Sequence, residues 1–292
     1  MNRLSLVGKG VLIGCAELIP SVSGGTIALM TGIWTKIIVS LARFDRDTLR
    51  MLARGDWARL WREHNLEFLL LVFVGTLIGL FALARLVNWV VLHQPAALMA
   101  LVFGIVLGSL PRFSRFFGDE GRLRRLLWLA AGAVTGILVS LLPTGSLTAN
   151  AWVMFFSAMV ASAAALLPGV SGAYILLLIG VYDDAVRAVA EIDFTMLVII
   201  GLGIGCGVML FVRAIHALLS KHAEPTLAVL VGLVIGTLTK IVPKDLDRAN
   251  IWGFAQAPDA ALPAGTFALL GVLGFVCGYA LARGVGDLKA QA

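Results

Sequence analysis

The sequence predicts an all-α, polytopic integral membrane protein. Of its 292 residues, 60% are hydrophobic and 14% are charged, and the mean hydropathy is +0.96. This composition lies outside the range of soluble globular proteins. Several apolar segments reach the ~20 residues that cross ~30 Å of hydrocarbon. A proline- and glycine-containing interruption also occurs twice inside these segments, which predicts two related units.

The interruptions lie in the apolar segments 4–41 and 151–189, where Pro20 and Pro168 each begin the motif Pro-x-Val-Ser-Gly. Proline lacks an N–H and clashes with the preceding turn, and glycine permits conformations closed to other residues, so a helix must stop and restart there. Unwound backbone at membrane depth requires surrounding protein or a water-filled cavity. We therefore predict a broken helical hairpin in each segment, short enough to be re-entrant.

The chain carries an internal duplication. A shift of 148 positions superposes Pro20, Ser23 and Gly24 on Pro168, Ser171 and Gly172, and a shift of 128 superposes Gly75, Gly79 and Arg85 on Gly203, Gly207 and Arg213. The first repeat is predicted over 1–142, with hairpin 4–41, polar loop 43–64 and spans 68–92, 96–110 and 126–142. The second is predicted over 143–292, with hairpin 151–189 and spans 194–219, 225–242 and 265–282. Each unit has an odd number of single crossings after its hairpin, so the second repeat should be inverted.

The distribution of charge predicts the orientation. Arginines crowd two loops, at Arg43, Arg46, Arg50, Arg54, Arg59 and Arg62 and at Arg112, Arg115, Arg122, Arg124 and Arg125. By the positive-inside rule both loops and both termini are cytoplasmic. The uncharged stretch 143–150 and the acidic stretch 183–193 are then external, as inversion requires. The net charge of +6 is thus explained by the arginines of the cytoplasmic loops, and no nucleic-acid partner is predicted.

The small residues in the predicted spans are interpreted as helix-packing residues. Glycines recur at four-residue spacing, as in Gly75/Gly79 and Gly132/Gly136, which is typical of helices that approach closely in lipid. Cys15, Cys206 and Cys277 lie in apolar segments without CxxC spacing and are interpreted as packing residues. No metal site, cofactor or catalytic residue is predicted.

The two breaks are candidate phosphate sites. A loop that begins a half-helix presents unpaired N–H groups and the positive end of a helix dipole, which bind anions. The candidate phosphate-binding residues there are Ser23, Gly24, Gly25, Thr26, Ser171 and Gly172. The alternative is that each serine only caps its helix.

Arg85 and Arg213 are further candidates for binding phosphate. Each lies within an apolar span, where an arginine costs ~2.5–3.5 kcal/mol on insertion scales. Their equivalent positions in the two repeats suggest an anion between the halves, since guanidinium binds phosphate through paired hydrogen bonds. The competing explanation is snorkelling to the interface.

Glu17 is an isolated acid three residues before Pro20, and its repeat counterpart is Ala165. A carboxylate at membrane depth either pairs with a cation or carries protons. The sequence favours neither, so Glu17 is a candidate for proton coupling with structural pairing as the alternative.

The segments Glu17-Leu-Ile-Pro-Ser-Val-Ser-Gly-Gly-Thr26 and Leu167-Pro-Gly-Val-Ser-Gly172 resemble the paired motifs of a bacterial polytopic family, formerly a domain of unknown function, of PopT-type undecaprenyl-phosphate translocases. The chain departs at Ser21, where glycine is usual, and at Glu17, where aspartate is expected. The resemblance implies a flippase that returns undecaprenyl phosphate from the outer to the inner leaflet of the cytoplasmic (inner) membrane during peptidoglycan synthesis. It implies undecaprenyl phosphate and membrane lipids as partners and is compatible with a homodimer.

Two other functions share part of this pattern. Pro20-x-x-Ser23-x-x-Thr26 is similar to the Pro-Gly-x-Ser-Arg-Ser motif of integral-membrane polyprenyl-pyrophosphate phosphatases, but Gly24 stands where their arginine follows the serine. Phosphoryl transfer needs charge neutralisation close to the reacting group. A channel or transporter for small anions is the other alternative, because it would use the same half-helix termini.

Overall fold

The computed structural model describes residues 2–19, 22–44, 46–113, 121–240 and 264–283, and within these ranges all regular structure is helical. The first nine helices are α1 (Arg3–Glu17), α2 (Gly24–Met30), α3 (Trp34–Ala42), α4 (Arg46–Arg54), α5 (Trp57–Glu63), α6 (Leu66–Ala82), α7 (Ala84–His93), α8 (Pro95–Phe113) and α9 (Arg122–Leu141). The described residues after them form α10 (Ala151–Leu166), α11 (Gly172–Ile179), α12 (Tyr182–Ala190), α13 (Phe194–Thr237), a short 3₁₀ turn (Leu238–Lys240) and α14 (Ala264–Arg283).

The described helices include three that are long and apolar enough to cross a membrane, in α9, α13 and α14. The number rises to five if two bent pairs each form one span: α2 with α3, bent by 110°, and α5 with α6, bent by 73°. The prediction of an all-α membrane protein is therefore confirmed.

Three elements differ from their predicted form. The polar loop 43–64 contains α4 and α5. The predicted span 68–92 is divided at Leu83 into α6 and α7. The predicted spans 194–219 and 225–242 are the two parts of α13, which meet without a loop at His222, where the backbone is non-helical (φ −139°, ψ 52°), shortly before Pro225. Proline removes one helical hydrogen bond, which permits this kink without requiring a loop.

Both hairpins have the same pattern of helix starts. The inner helices begin at Gly24 and Gly172, and the next helices begin at Trp34 and Tyr182, in each case 148 positions apart. Gly32 (φ 71°) and Gly180 (φ 93°) end the inner helices in the left-handed region, which favours glycine. The prediction that each Ser-Gly pair opens a helix is confirmed. Pro168 is fully buried in the second break, whereas the predicted break at Pro20 lies outside the described residues.

Glycines set the helix packing, as predicted. A Cβ added at Gly75 would overlap the carbonyl oxygen of Val7, so α6 packs closely on α1. The same applies at Gly207 against Met159, which joins α13 to α10. Gly274 on α14 packs against α8, and Gly232 on α13 packs against α9. Each pair gains dispersion energy from close backbone approach, where hydrophobic contrast is absent.

The core is centred on the first hairpin. Leu29, Ile33 and Ile38 are 0% exposed and Trp34 is 1% exposed. All but one residue of α2 is buried. With only seven residues, α2 rises ~10 Å and cannot cross ~30 Å of hydrocarbon alone. The described end of the first break, Val22 to Gly24, is also buried, so its polar groups need protein partners.

Candidate functional site

The two breaks contact each other. Ser23 Oγ donates to the Leu167 carbonyl oxygen at 3.2 Å, and the Gly169 N–H donates to Thr26 Oγ1 at 2.7 Å. Next to them, Trp34 Nε1 donates to the Leu166 carbonyl oxygen at 2.7 Å. Side chains of the first hairpin thus satisfy backbone groups that the second hairpin leaves unpaired where its helix stops.

The inner helices are capped differently. Ser23 Oγ accepts the Gly25 N–H at 3.1 Å, a standard N-cap bond. Ser171 occupies the equivalent position before α11 without a side-chain cap bond. Ser23 is therefore both a cap and a bridge between hairpins, while the Ser171 hydroxyl is not engaged in capping.

Two glycines allow close packing at the breaks, Gly25 between the two hairpins and Gly172 within the second hairpin. A Cβ at Gly25 would lie 3.1 Å from the carbonyl oxygens of Leu166 and Leu167. A Cβ at Gly172 would lie 2.7 Å from the Ala161 carbonyl oxygen. Any larger residue would displace backbone, so both glycines have a packing role whether or not they bind a ligand.

Glu17, the last residue of α1, lies against the first break. Its Oε1 accepts the Gly24 N–H at 2.9 Å. No lysine or arginine in the described part of the chain forms an ion pair with it. The hydrogen bond to Gly24 could not be read from the sequence, because it depends on how the chain turns between residues 17 and 24.

A second polar contact that the sequence analysis missed ties α1 to the end of α2. Lys9 Nζ donates to the Thr31 carbonyl oxygen at 2.7 Å. A lysine two turns before Glu17 on an apolar helix is the signal that could have indicated it. The contact fixes the far end of the inner helix, so both ends of α2 are held by polar side chains of α1.

An apolar cavity of about 620 Å³ lies beside the first break. Glu17, Gly24 and Gly25 line one part of it. The rest is almost entirely hydrophobic, with side chains from α1, α2, α3, α5, α6 and the end of α10 that include Ile13, Trp34, Leu41, Trp61, Phe73 and Leu166. A cavity of this kind suits an amphiphile, because it offers an apolar surface next to polar backbone.

The two candidate arginines lie elsewhere. Neither is among the described residues that line the apolar cavity. Arg85 is exposed near the start of α7. Arg213 is exposed on α13, and its Nη2 donates to the Phe44 carbonyl oxygen at 3.1 Å. The structure thus brings Glu17, the first motif and the second break together, without either arginine.

The site has no recognisable metal-binding group. Within the described ranges, His, Cys, Asp and Glu side chains nowhere form a group of three or more that could hold a metal ion. What the site offers is backbone N–H groups, hydroxyls and one carboxylate beside an apolar surface.

Comparison with known proteins identifies the family of the chain. Residues 13–252 match the model of a family described as VCA0040-like, undecaprenyl phosphate translocase-like. A Vibrio cholerae protein named polyprenyl-phosphate transporter is 35% identical over 243 residues, which cover 83% of this chain and 79% of that protein. A Staphylococcus aureus protein of the same name is 28% identical over 252 residues, or 80% of this chain and 84% of that protein. No solved structure matches significantly. The chain therefore belongs to the undecaprenyl phosphate translocase-like family.

Proposed function

We propose that this protein is a flippase that carries undecaprenyl phosphate from the outer to the inner leaflet of the bacterial cytoplasmic membrane, so that the lipid carrier of cell-wall synthesis is used again. The main support is the apolar cavity that opens beside Glu17 and the paired helix breaks. Both relatives named above are polyprenyl-phosphate transporters. The cavity would take part of the prenyl chain and the breaks would take the phosphate.

We propose that the lipid phosphate is bound by Ser23, Gly24, Gly25, Thr26, Ser171 and Gly172. Arg85 and Arg213 would contact the phosphate along its path across the membrane. The Gly24 N–H already binds a carboxylate oxygen, which supports a preference of this break for anions. Ser171, whose hydroxyl makes no cap bond, adds a second donor from the other hairpin.

The arrangement in two inverted repeats is also our proposal, and the packing of the spans supports it. In the duplication, α8 corresponds to the part of α13 after His222, and α9 corresponds to α14. The close pairs are α8 with α14 and α9 with that part of α13. Each unit thus pairs its second span with the third span of the other, as expected for two units related by an axis in the membrane plane.

Inward movement of a phosphate needs an energy source. An inside-negative potential opposes it by ~2.3 kcal/mol per charge per 100 mV. Fixed positive charges lower a barrier but leave this net work unchanged. We propose that a proton moves with the lipid, and that Glu17 carries it because it lies beside the break without a cationic partner among the described residues.

Leaflet-resolved translocation in proteoliposomes tests the function. A labelled polyprenyl phosphate is placed in one leaflet, and its movement and the release of inorganic phosphate are followed together. We expect movement without release. Release of phosphate would identify a phosphatase, and failure to move the lipid while small anions cross would identify an anion transporter.

A further inference from the structure

A second cavity lies on the other side of α5 from the apolar one. It has a volume of about 700 Å³ and is lined by side chains from the end of α3, from α4 and from α5. We name it the basic cavity after its four arginines, Arg43, Arg50, Arg54 and Arg59. On α5, Trp61 lines the apolar cavity, whereas Arg59 and Glu63 line the basic one. Residues two apart point to roughly opposite sides of a helix, so α5, which is only seven residues long, lies between the two cavities.

The basic cavity keeps a positive charge after its own ion pairs are counted. Its three carboxylates are Asp47, Asp56 and Glu63. Asp47 is 2.6 Å from Arg50 and Glu63 is 2.7 Å from Arg59. Asp56 accepts the backbone N–H that opens α5.

The other two arginines make no ion pair with a described carboxylate. Arg43 uses one of the five N–H groups of its guanidinium, on Nη1, to donate to the Glu63 carbonyl oxygen at 2.5 Å. Arg54 is exposed. Arginine binds phosphate through paired hydrogen bonds.

The walls of the basic cavity are held in place by His64, which is 2% exposed. Its Nε2 is 2.7 Å from Thr48 Oγ1 and 3.0 Å from the Arg43 carbonyl oxygen, and its Nδ1 is 3.3 Å from the Leu60 carbonyl oxygen. These contacts join α4, α5 and the end of α3. Arg213 holds the same corner through the Phe44 carbonyl oxygen. The basic cavity is thus preformed, which lowers the ordering cost of binding a ligand.

We infer that the basic cavity is a second phosphate position, which holds the phosphomonoester head of a polyprenyl phosphate while part of the prenyl chain lies in the apolar cavity. This inference rests on the proposed function and adds to it a binding position away from the helix breaks. An amphiphile with an anionic head and a long apolar chain suits two cavities, one basic and one hydrophobic, that are separated by one short helix. The arginine-rich segment is predicted to be cytoplasmic, so this position would be the last before release into the inner leaflet.

Binding to the purified full-length protein tests the inference, with three probes: a short-chain polyprenyl phosphate, the corresponding polyprenol, and inorganic phosphate. The Arg54→Gln and Arg43→Gln/Arg54→Gln proteins are compared with wild type. Arg122→Gln is the matched control, because it removes the same charge from an exposed position that lines neither cavity. We expect the Kd for polyprenyl phosphate to rise about tenfold in Arg54→Gln, to recover in part in Arg54→Lys, and to stay unchanged in Arg122→Gln. Polyprenol binding should not change in any of them.

The outcomes separate this inference from the proposed function. If wild-type protein translocates the lipid and both arginine variants bind it normally, the second position is overturned and the proposed function stands. If wild-type protein neither binds nor moves the lipid, both are overturned. If inorganic phosphate binds as tightly as the lipid and loses affinity equally in the variants, the basic cavity is a site for free phosphate and the inference is wrong. Unchanged melting temperatures would show that the variants are folded.

Discussion

Glu17 is placed so that its charge and the first break affect each other. Its carboxylate accepts the N–H of Gly24, the first residue of α2. A proton on Glu17 would weaken it as an acceptor and so make that N–H more available to a lipid phosphate. This is the property that a coupled carrier needs, because proton binding and substrate binding then occur at one place.

We predict that Glu17→Gln abolishes the response of transport to an imposed pH gradient. Glutamine keeps an acceptor oxygen for Gly24, so lipid binding should remain within about threefold of wild type, but the side chain can no longer carry a proton. The measurement is translocation in proteoliposomes with and without a gradient. A variant that responds as fully as wild type would exclude Glu17 as the proton carrier.

Thr26, like Ser23, forms a side-chain hydrogen bond from the first hairpin to the second break. It is 4% exposed, and its hydroxyl accepts the Gly169 N–H. Valine has nearly the same shape but would leave this backbone group without its acceptor. We predict that Thr26→Val lowers the free energy of unfolding by about 1–2 kcal/mol, measured by denaturant titration in detergent.

Thr135→Val is the control for that prediction. Thr135 is exposed on α9, and its hydroxyl donates only within its own helix, to Ala131. Its replacement should change the stability little, because no other group loses a partner. Equal losses for the two variants would show that the contact between the breaks contributes nothing specific.

Among single residues, the sequence predicted some roles and missed others for a physical reason. Ser23 and Ser171 were predicted to open helices, because capping depends on local sequence. The partners of Arg213 and Lys9 were not predicted. They are backbone carbonyl groups distant in sequence, and such contacts depend on how the helices are rotated against each other.

At the scale of the helix pair, the contact of α10 with α13 depends on single glycines. Gly207 faces the Met159 carbonyl oxygen and Ser162, whereas Gly205 on the same helix has open space around it. We predict that Gly207→Ala lowers the free energy of unfolding by about 1–3 kcal/mol through overpacking. Gly205→Ala should be neutral or slightly stabilising, because alanine favours the helix.

Thermal unfolding of the two glycine variants in the same detergent is the measurement. Both changes add one methyl group to the same helix, so they differ only in the atoms that the methyl group contacts. Similar melting temperatures for Gly207→Ala and Gly205→Ala would contradict the packing of α10 on α13.

Long apolar helices were predicted better than short polar ones. The starts of α2 and α11 agree with the predicted breaks, because Ser-Gly after a proline acts locally. The helices α4 and α5 were missed in the loop 43–64. The loop is too polar to be predicted as a membrane span, and a criterion based on long apolar segments does not detect short amphipathic helices.

At the scale of the whole molecule, inversion of the second repeat makes a direct prediction. Arg43 and Glu191 are equivalent positions in the duplication and are both exposed. If the repeats are inverted, they lie on opposite sides of the membrane. We predict that a membrane-impermeant maleimide labels Glu191→Cys in intact cells and labels Arg43→Cys only after permeabilisation.

The labelling requires a background without Cys15, Cys206 and Cys277, since two of these are exposed. Detergent-treated cells, in which both introduced cysteines should react, serve as the control. Reaction of both positions from the same side would show that the two repeats are parallel.

The two parts of α13 connect two closely packed helix pairs. One part packs on α10 through Gly203 and Gly207, and the other packs on α9 through Gly232 and Gly236. The two parts meet without a loop at His222, where the backbone is non-helical. A change in the backbone angles of this one residue would therefore turn the α9 pair as a block relative to the α10 pair, while the close glycine contacts inside each pair stay intact.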